Sequence, residues 1–118
     1  MEGQTDQRLL YRITLITPAG ERTISVASDQ YIWDAAQAAG IVLPALCHQG
    51  RCLTCAGQLV GAGEFDQSDS NAYFSADREA GFILLCTAKP RSNMQIRTHQ
   101  QGEMRAHRLR HGLPAPYA

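Results

Sequence analysis

Residues 43–59 read LPALCHQGRCLTCAGQL, and this stretch holds three of the four cysteines of the chain, Cys47, Cys52 and Cys55. The fourth, Cys86, lies apart from them, which gives the spacing C-x4-C-x2-C…C. Thiols that converge on so short a loop need a metal centre or a disulfide to hold them together. We therefore expect the chemistry of the protein to lie at these four cysteines.

The length of the chain, 118 residues, is that of one domain. We expect an N-terminal tail over 1–8, a domain over 9–99 and an extension over 100–118. No apolar run approaches the roughly 20 residues that a membrane span needs, and the start of the chain lacks the pattern of a signal peptide. The sequence thus predicts a soluble, cytoplasmic or equivalent protein without a membrane partner, in a reducing compartment where disulfides are uncommon.

The cysteine spacing is the ligand run of a plant-type [2Fe–2S] cluster. Zinc is the main alternative, because four thiolates also make a closed tetrahedral site. Structural zinc sites tend to pair two short cysteine knuckles, however, whereas here Cys86 stands outside the loop. A Rieske centre is not expected, because His48 directly follows Cys47. The pattern favours an iron–sulfur cluster, with zinc, disulfides and idle thiols as the alternatives.

Apolar alternation predicts two strands over 9–17 and 21–28, joined as a hairpin. Asp29 then offers an N-cap for a short alanine-rich helix that we expect to end at Gly40. The predicted inward face of this helix consists of Ile32, Trp33, Ala36 and Ala39, with Trp33 packed in the core.

Further strands are predicted over 57–63, over 82–86 and over 94–98, with a turn and a short helix over 68–81. The strand over 82–86 is buried and would deliver Cys86. Two strands, a helix and then further strands predict an α+β fold with a mixed sheet packed against one main helix.

Four stretches carry a family resemblance: LPALCHQGRCLTCAGQL at 43–59, DQSD at 66–69, EAGFILLCTAKP at 79–90 and IRTHQ at 96–100. With them, the chain resembles the plant-type or cyanobacterial-type [2Fe–2S] ferredoxins over about residues 9–99. The resemblance implies a β-grasp fold, a cluster loop near the surface, and ligation of a [2Fe–2S] cluster by the four cysteines. It also implies an electron-transfer protein, a monomer that shuttles single electrons between a reductase and an electron acceptor. No residues look like a catalytic pocket, so we do not expect an enzyme.

The cluster loop departs from the usual family pattern. Where the family commonly has serine, arginine, alanine and serine around the first two cysteines, this chain has Leu46, His48, Arg51 and Leu53, while Thr54 is kept. Apolar bulk near the cluster disfavours its more negative reduced state, whereas an arginine favours that state. We therefore expect a reduction potential that differs from the usual family value, and the two opposed effects leave the direction of the difference undecided. His48 is either a pH-dependent charge beside the cluster or a half-exposed loop residue.

Charge is segregated although the net charge is zero. The segment Glu64–Glu79 holds five acids and one arginine, and Arg97–His111 holds four arginines and one acid. This layout either orients a partner or is ordinary surface charge. Because the basic segment has no aromatic interleaving, we do not expect nucleic-acid binding.

The partner surface departs from the family as well. Gln101 and Gly102 occupy the place of a glutamate pair that helps photosynthetic ferredoxins to engage their flavin reductase. We therefore expect a specialised ferredoxin with non-standard partners. The alternatives are a dedicated electron-transfer subunit of an oxygenase or other enzyme and, more remotely, a zinc-binding interaction module.

The family normally ends within a few positions of residue 100, yet this chain continues. The sequence leaves two readings open, a disordered tail and a short helix that ends near Gly112 and Pro114. In the helical reading, the apolar stripe would consist of Ala106, Leu109 and Leu113.

Overall fold

Seven strands and three α-helices make up the part of the chain that the structure describes, residues 9–45 and 53–115 of this computed structural model. A single turn of 3-10 helix, Leu85–Thr87, follows the fifth strand. None of the helices in these ranges is long and apolar enough to cross a bilayer. The elements in chain order are β1 (Leu10–Thr17), β2 (Gly20–Ala27), α1 (Ile32–Ala38), β3 (Ala56–Leu59), β4 (Phe65–Asp66), α2 (Ser75–Glu79), β5 (Phe82–Leu84), β6 (Lys89–Pro90), β7 (Met94–Arg97) and α3 (Gln101–Arg110).

Five of the strands form one mixed sheet in the order β2-β1-β7-β3-β5. β1 pairs antiparallel with β2 and parallel with β7, so that Leu15 lies opposite Ile96. β3 pairs antiparallel with both β7 and β5, and the short strands β4 and β6 pair with each other in a separate ribbon. α1 lies against β2 and the 3-10 turn. The mixed sheet packed against this helix confirms the predicted α+β class.

The larger apolar core lies between the sheet and α1, and it follows from the alternation along β1. Ile13 and Leu15 are fully buried, whereas Thr14 between them points to the other face and shares a hydroxyl hydrogen bond with Thr23 of β2 at 2.9 Å. Ile96 of β7 is also fully buried. Burial of each such side chain contributes about 1.5–3 kcal/mol to the free energy of folding. The apolar side chains on the inner face therefore stabilise the predicted hairpin.

The start of α1 differs from the prediction, which placed an N-cap at Asp29. The helix begins at Ile32, and its N-cap residue is Tyr31, which makes no capping hydrogen bond with its side chain. The N–H of Ile32 donates instead to the carbonyl of Ala88 at 3.0 Å. A tertiary contact from the chain beyond β5 thus satisfies a donor for which the sequence suggested a local cap.

The end of α1 agrees with the prediction, because Gly40 adopts φ of +80°, a conformation that favours glycine. The inward face agrees in part. Ile32 and Ala36 are buried, but Ala35 is buried as well and Ala39 is exposed. Ala39 lies beyond the last helical residue, so the helical period no longer determines its direction.

β3 is shorter than the strand predicted over 57–63. It ends at Leu59, and Gly61 adopts φ of +87°, which turns the chain out of the sheet. The N–H of Val60 still donates to the carbonyl of Gln95 at 2.9 Å, so the strand is continued by one further bond to β7.

The segment beyond residue 100 forms α3, the helical one of the two readings that the sequence left open. The predicted apolar stripe is wrong, because Leu109 is 58% exposed. The residues that α3 buries are Met104, His107 and Arg108. An ion pair of Arg108 with Asp77 of α2 at 2.8 Å turns this side of the helix toward the domain. Apolar periodicity could not predict the buried face of a helix that docks through a charge.

Candidate metal centre

Two of the four cysteines lie beside each other because two strands of the sheet pair. Cys55 immediately precedes β3, and Cys86 lies in the 3-10 turn directly after β5. The two strands run antiparallel with Ala56 opposite Leu84. The N–H of Leu85 also donates to the carbonyl of Cys55 at 3.2 Å. The ladder thus brings two cysteines that are distant in the chain to the same end of the sheet.

The described residues contain half of the predicted ligand set, Cys55 and Cys86. The prediction that a strand over 82–86 carries Cys86 needs a correction, since β5 ends at Leu84 and Cys86 lies in the 3-10 turn. The predictions on the remaining loop residues lie outside the described residues; these are Leu46, Cys47, His48, Arg51 and Cys52.

Both described cysteines are buried in a second apolar cluster, which we call the cysteine wall. Cys55 is 3% exposed and Cys86 is 5% exposed. A thiolate in such surroundings is unfavourable unless a positive charge compensates it, and thiolates select iron–sulfur clusters or zinc among metal centres. The donor set therefore fits a thiolate-bound metal centre. The wall consists of Leu53, Cys55, Ala56, Phe82, Leu84, Cys86 and Met104.

Trp33 joins the cysteine wall to the larger core. It packs against both clusters, and its Nε1 donates to the carbonyl of Leu43 at 3.2 Å. Leu43 is the first residue of the stretch that holds three of the cysteines. The packing agrees with the structural role predicted for Trp33, and it also anchors the entry to the cluster loop.

Gln67 is a buried polar residue that the cysteine pattern did not reveal. Its amide pairs with the backbone of Leu84, accepting from the N–H at 2.9 Å and donating to the carbonyl at 3.0 Å. The same Nε2 lies 3.1 Å from the hydroxyl of Thr87. These bonds hold the backbone of Leu84 and the side chain of Thr87, which lie on either side of Cys86 in the chain. The only sequence signal was the DQSD stretch, which contributed to the family resemblance without a role for each residue.

Tyr73 holds the start of β5. Its hydroxyl donates to the carbonyl of Phe82, and burial raises the pKa of Tyr73 well above its ordinary value of 10.0. The ring also meets Phe65 edge to face, with the ring centroids 6.2 Å apart. Tyr73 thus ties β4 to the strand that leads to Cys86.

The predicted acidic segment is largely neutralised within the fold. Hydrogen bonds from Tyr31 and then Lys89 lower the pKa of Asp69 below its ordinary value. Because most of the segment is paired, the structure favours ordinary surface charge over a free acidic patch. Three of the five acids form ion pairs: Asp66 with Arg91, Asp69 with Lys89, and Asp77 with Arg108 of the predicted basic segment.

Comparison with known proteins gives a family match over much of the chain. A family model described as a 2Fe-2S iron-sulfur cluster binding domain matches residues 16–91, a range that contains all four cysteines. Ferredoxin-2 from Synechococcus sp. is 40% identical over 104 residues, which cover 88% of this chain and 96% of the relative.

Two solved structures are similar over part of their length. Pectocin M2 is 34% identical with a TM-score of 0.69, over 78% of this chain and 33% of that chain. The ferredoxin reductase in carbazole 1,9a-dioxygenase is 26% identical with a TM-score of 0.63, over 78% of this chain and 28% of that one. This chain thus spans about a third or less of each.

Proposed function

The chain belongs to the family of [2Fe–2S] ferredoxins, and we propose that it carries single electrons between redox proteins on a cluster with four cysteine ligands. The match over residues 16–91 is accompanied by a mixed sheet and few helices, which is the ferredoxin-type β-grasp fold. The proposed domain covers 9–99, with 1–8 as a tail and 100–118 as an extension. The proposed ligands are Cys47, Cys52, Cys55 and Cys86.

The observation that carries the proposal is the juxtaposition of Cys55 and Cys86 in the cysteine wall. When bound, a [2Fe–2S] cluster accepts and returns one electron. The protein itself positions two thiolates through the pairing of β3 with β5, and Gln67 holds the backbone of Leu84 close to Cys86. The apolar side chains of the cysteine wall keep water away from both cysteines. The other two thiolates come from the loop over 47–52, which we expect near the surface.

The ligand assignment is tested by replacing single cysteines. In Cys55→Ser and Cys86→Ser, we expect the visible bands of the cluster to be lost or displaced, and the one-electron couple with them. Ala38→Ser, at an exposed position of α1, is the matched control and keeps both signals. A Cys86→Ser protein with an unchanged spectrum and potential would remove Cys86 from the ligand set, and stoichiometric zinc in a colourless wild type would reject the cluster.

We propose that the partners are a reductase and an acceptor outside the usual photosynthetic pair. Gln101 and Gly102 lie in the first turn of α3, and neither carries a charge. Opposite charges across an interface raise the association rate, so a missing acidic pair weakens encounter with a basic reductase. Further features of the proposal are a monomer in a reducing, cytoplasmic-type compartment, with no nucleic-acid or membrane partner and no catalytic activity of its own.

Stopped-flow transfer to a photosynthetic flavin reductase tests the partner proposal. We expect slow transfer by the wild type and several-fold faster transfer, at low salt, by a Gln101→Glu, Gly102→Glu double variant. Gln95→Glu on β7 is the control, because it adds acidity elsewhere on the surface. Fast transfer by the wild type would contradict the specialised reading.

A dedicated electron-transfer subunit of an oxygenase is the second candidate. The ferredoxin reductase in carbazole 1,9a-dioxygenase supports it, as a similar structure from such a system. The two candidates differ in partner range. A carrier reduces several acceptors at comparable rates, whereas a dedicated subunit reduces one acceptor at least ten times faster than the others.

A further inference from the structure

The helix α3 reaches the elements that carry the two described cysteines. Its fully buried Met104 belongs to the cysteine wall together with Cys55 and Cys86. Just before the helix, the N–H of Gln100 donates to the carbonyl of Ala56 at 3.0 Å, and Ala56 directly follows Cys55. The start of α3 is therefore fastened to the backbone beside one proposed ligand, and its first buried side chain lies in the apolar surroundings of both.

A buried ion pair fixes the other end of the helix. Arg108 and Asp77 are both fully buried, and Nε of Arg108 donates to the two carboxylate oxygens at 3.0 Å each. The guanidinium also donates to the carbonyls of Ala72 at 3.0 Å and Pro114 at 2.9 Å. Such a pair is costly to break from one side, because the remaining charge stays buried without its partner.

The same contacts reach the strand that leads to Cys86. Asp77 lies on α2, the element immediately before β5, and it accepts a hydrogen bond from the N–H of Phe74 at 3.0 Å. His107 of α3 lies over Phe82 of β5, with ring centroids 5.1 Å apart. The helix is thus held against β3 at one end, and against α2 and β5 at the other.

Leu53 provides a second, independent observation. It stands where the family commonly has a serine, and it is fully buried in the cysteine wall with Met104. A hydroxyl near the sulfurs is replaced by apolar bulk on the side that the helix covers. Two residues from separate parts of the chain therefore make this side of the site apolar.

We propose that α3 shields the cluster: Met104 excludes water from the side formed by Cys55 and Cys86, and the ion pair of Arg108 with Asp77 holds the helix in place. This inference rests on the proposed assignment of both cysteines as ligands. Reduction adds a negative charge to an already anionic cluster, and a dry apolar wall disfavours that charge. The helix therefore lowers the reduction potential and slows the loss of iron.

Variants of Met104 test the shielding. Met104→Ala opens the wall, so we expect a less negative midpoint potential and roughly 10-fold faster loss of the visible bands to an iron chelator. Met104→Leu restores apolar volume and should return both readouts close to the wild type. Leu109→Ala, on the exposed side of the same helix, is the matched control and should change neither.

The ion pair is tested by Arg108→Met, which removes the guanidinium from the buried Asp77. The carboxylate keeps the N–H of Phe74 and the ring of His107, whose Nε2 lies 3.2 Å from Oδ1. We expect the same displacement of potential and of chelation rate, together with a lower unfolding temperature. If this variant fails to fold, the two Met104 variants still decide the proposal. A Met104→Ala protein that carries the cluster with wild-type potential and chelation rate overturns the shielding. A wild type without cluster bands overturns the proposed function itself.

Discussion

Gln67 shows how one polar side chain can replace a missing strand. It is 4% exposed, and its amide pairs with both backbone groups of Leu84 at the edge of the sheet. Buried backbone groups need partners, and β5 has no further strand on that side in the described part of the chain. The position of Cys86 therefore depends on a residue far from it in the chain.

Replacement of this amide should destabilise the cluster end of the protein. Gln67→Leu leaves the N–H and the carbonyl of Leu84 without their partner, and we expect a loss of about 2 kcal/mol or more in the free energy of unfolding. Urea unfolding followed by circular dichroism measures it. Gln37→Leu, at an exposed position of α1, is the control. Equal losses in the two variants would contradict this role of Gln67.

Because Tyr73 is partly buried, we expect the free energy of unfolding to decrease at alkaline pH. Burial raises its pKa, so the unfolded chain ionises first, near the ordinary value of 10.0. The stabilisation is complete below that pH and is lost as the pH rises above it. In Tyr73→Phe, we expect about 1 kcal/mol less stability at pH 7 and a shallower decline above pH ~10.

Thermal unfolding of wild type, Tyr73→Phe and Tyr11→Phe between neutral and alkaline pH makes this comparison. Tyr11→Phe serves as the control because Tyr11 lies on β1, away from β5. If the wild type and Tyr73→Phe decline in parallel through the alkaline range, Tyr73 is not the group responsible.

At the scale of the elements, β3 is the strand on which the site depends, because it pairs on one side with β7 and on the other with β5. Gly57 in its middle leaves no room for a side chain. A Cβ there would lie 2.7 Å from Cγ2 of Ile96 and 3.2 Å from the carbonyl of Arg97. The close approach of β3 and β7 thus requires glycine at this position.

A pair of glycine replacements tests this approach. Gly57→Ala should lower the free energy of unfolding by about 1–3 kcal/mol, because β7 must shift. Gly102→Ala is the matched change in α3, where the Cβ meets nothing within 4 Å, and it should raise stability by about 0.5–1 kcal/mol. Urea titrations of both proteins measure the difference, and a tolerated Gly57→Ala would show that the strands can separate at little cost.

At the scale of the whole molecule, the two apolar clusters hold different parts of the fold together. The larger core joins β1, β2, β7 and α1, with Phe65 of β4 and Ile83 of β5, and it has no cysteine among its buried residues. The cysteine wall joins β3, α3 and the other two residues of β5. Trp33 packs against both. Loss of the cluster should therefore affect the two parts unequally.

Hydrogen exchange of the protein before and after removal of the cluster tests this division. We expect the amides of β3, β5 and α3 to lose protection, because the two buried cysteines, if they are ligands as proposed, lose the iron that links them. The amides of the β1–β2 hairpin should keep most of theirs. A uniform loss along the chain would mean that the protein unfolds as one unit when iron leaves.

The sequence by itself determined the features that local chemistry controls. Strand alternation located the hairpin, Gly40 located the end of α1, and the cysteine spacing with its flanking residues identified the family and its cofactor. These features depend on neighbours in the chain, or on a ligand spacing that a cluster imposes. A sequence contains such information directly.

Tertiary structure decided the features that depend on partners distant in the chain. Asp29 is not the N-cap of α1, and the carbonyl of Ala88 accepts from the first N–H of that helix. The buried face of α3 follows from the ion pair of Arg108 with Asp77. A prediction from periodicity assumes that buried residues are apolar. It therefore misses a charged residue that is buried together with its oppositely charged partner. The cysteine wall, in which Met104 lies with Cys55 and Cys86, exists only once β3, β5 and α3 are packed together.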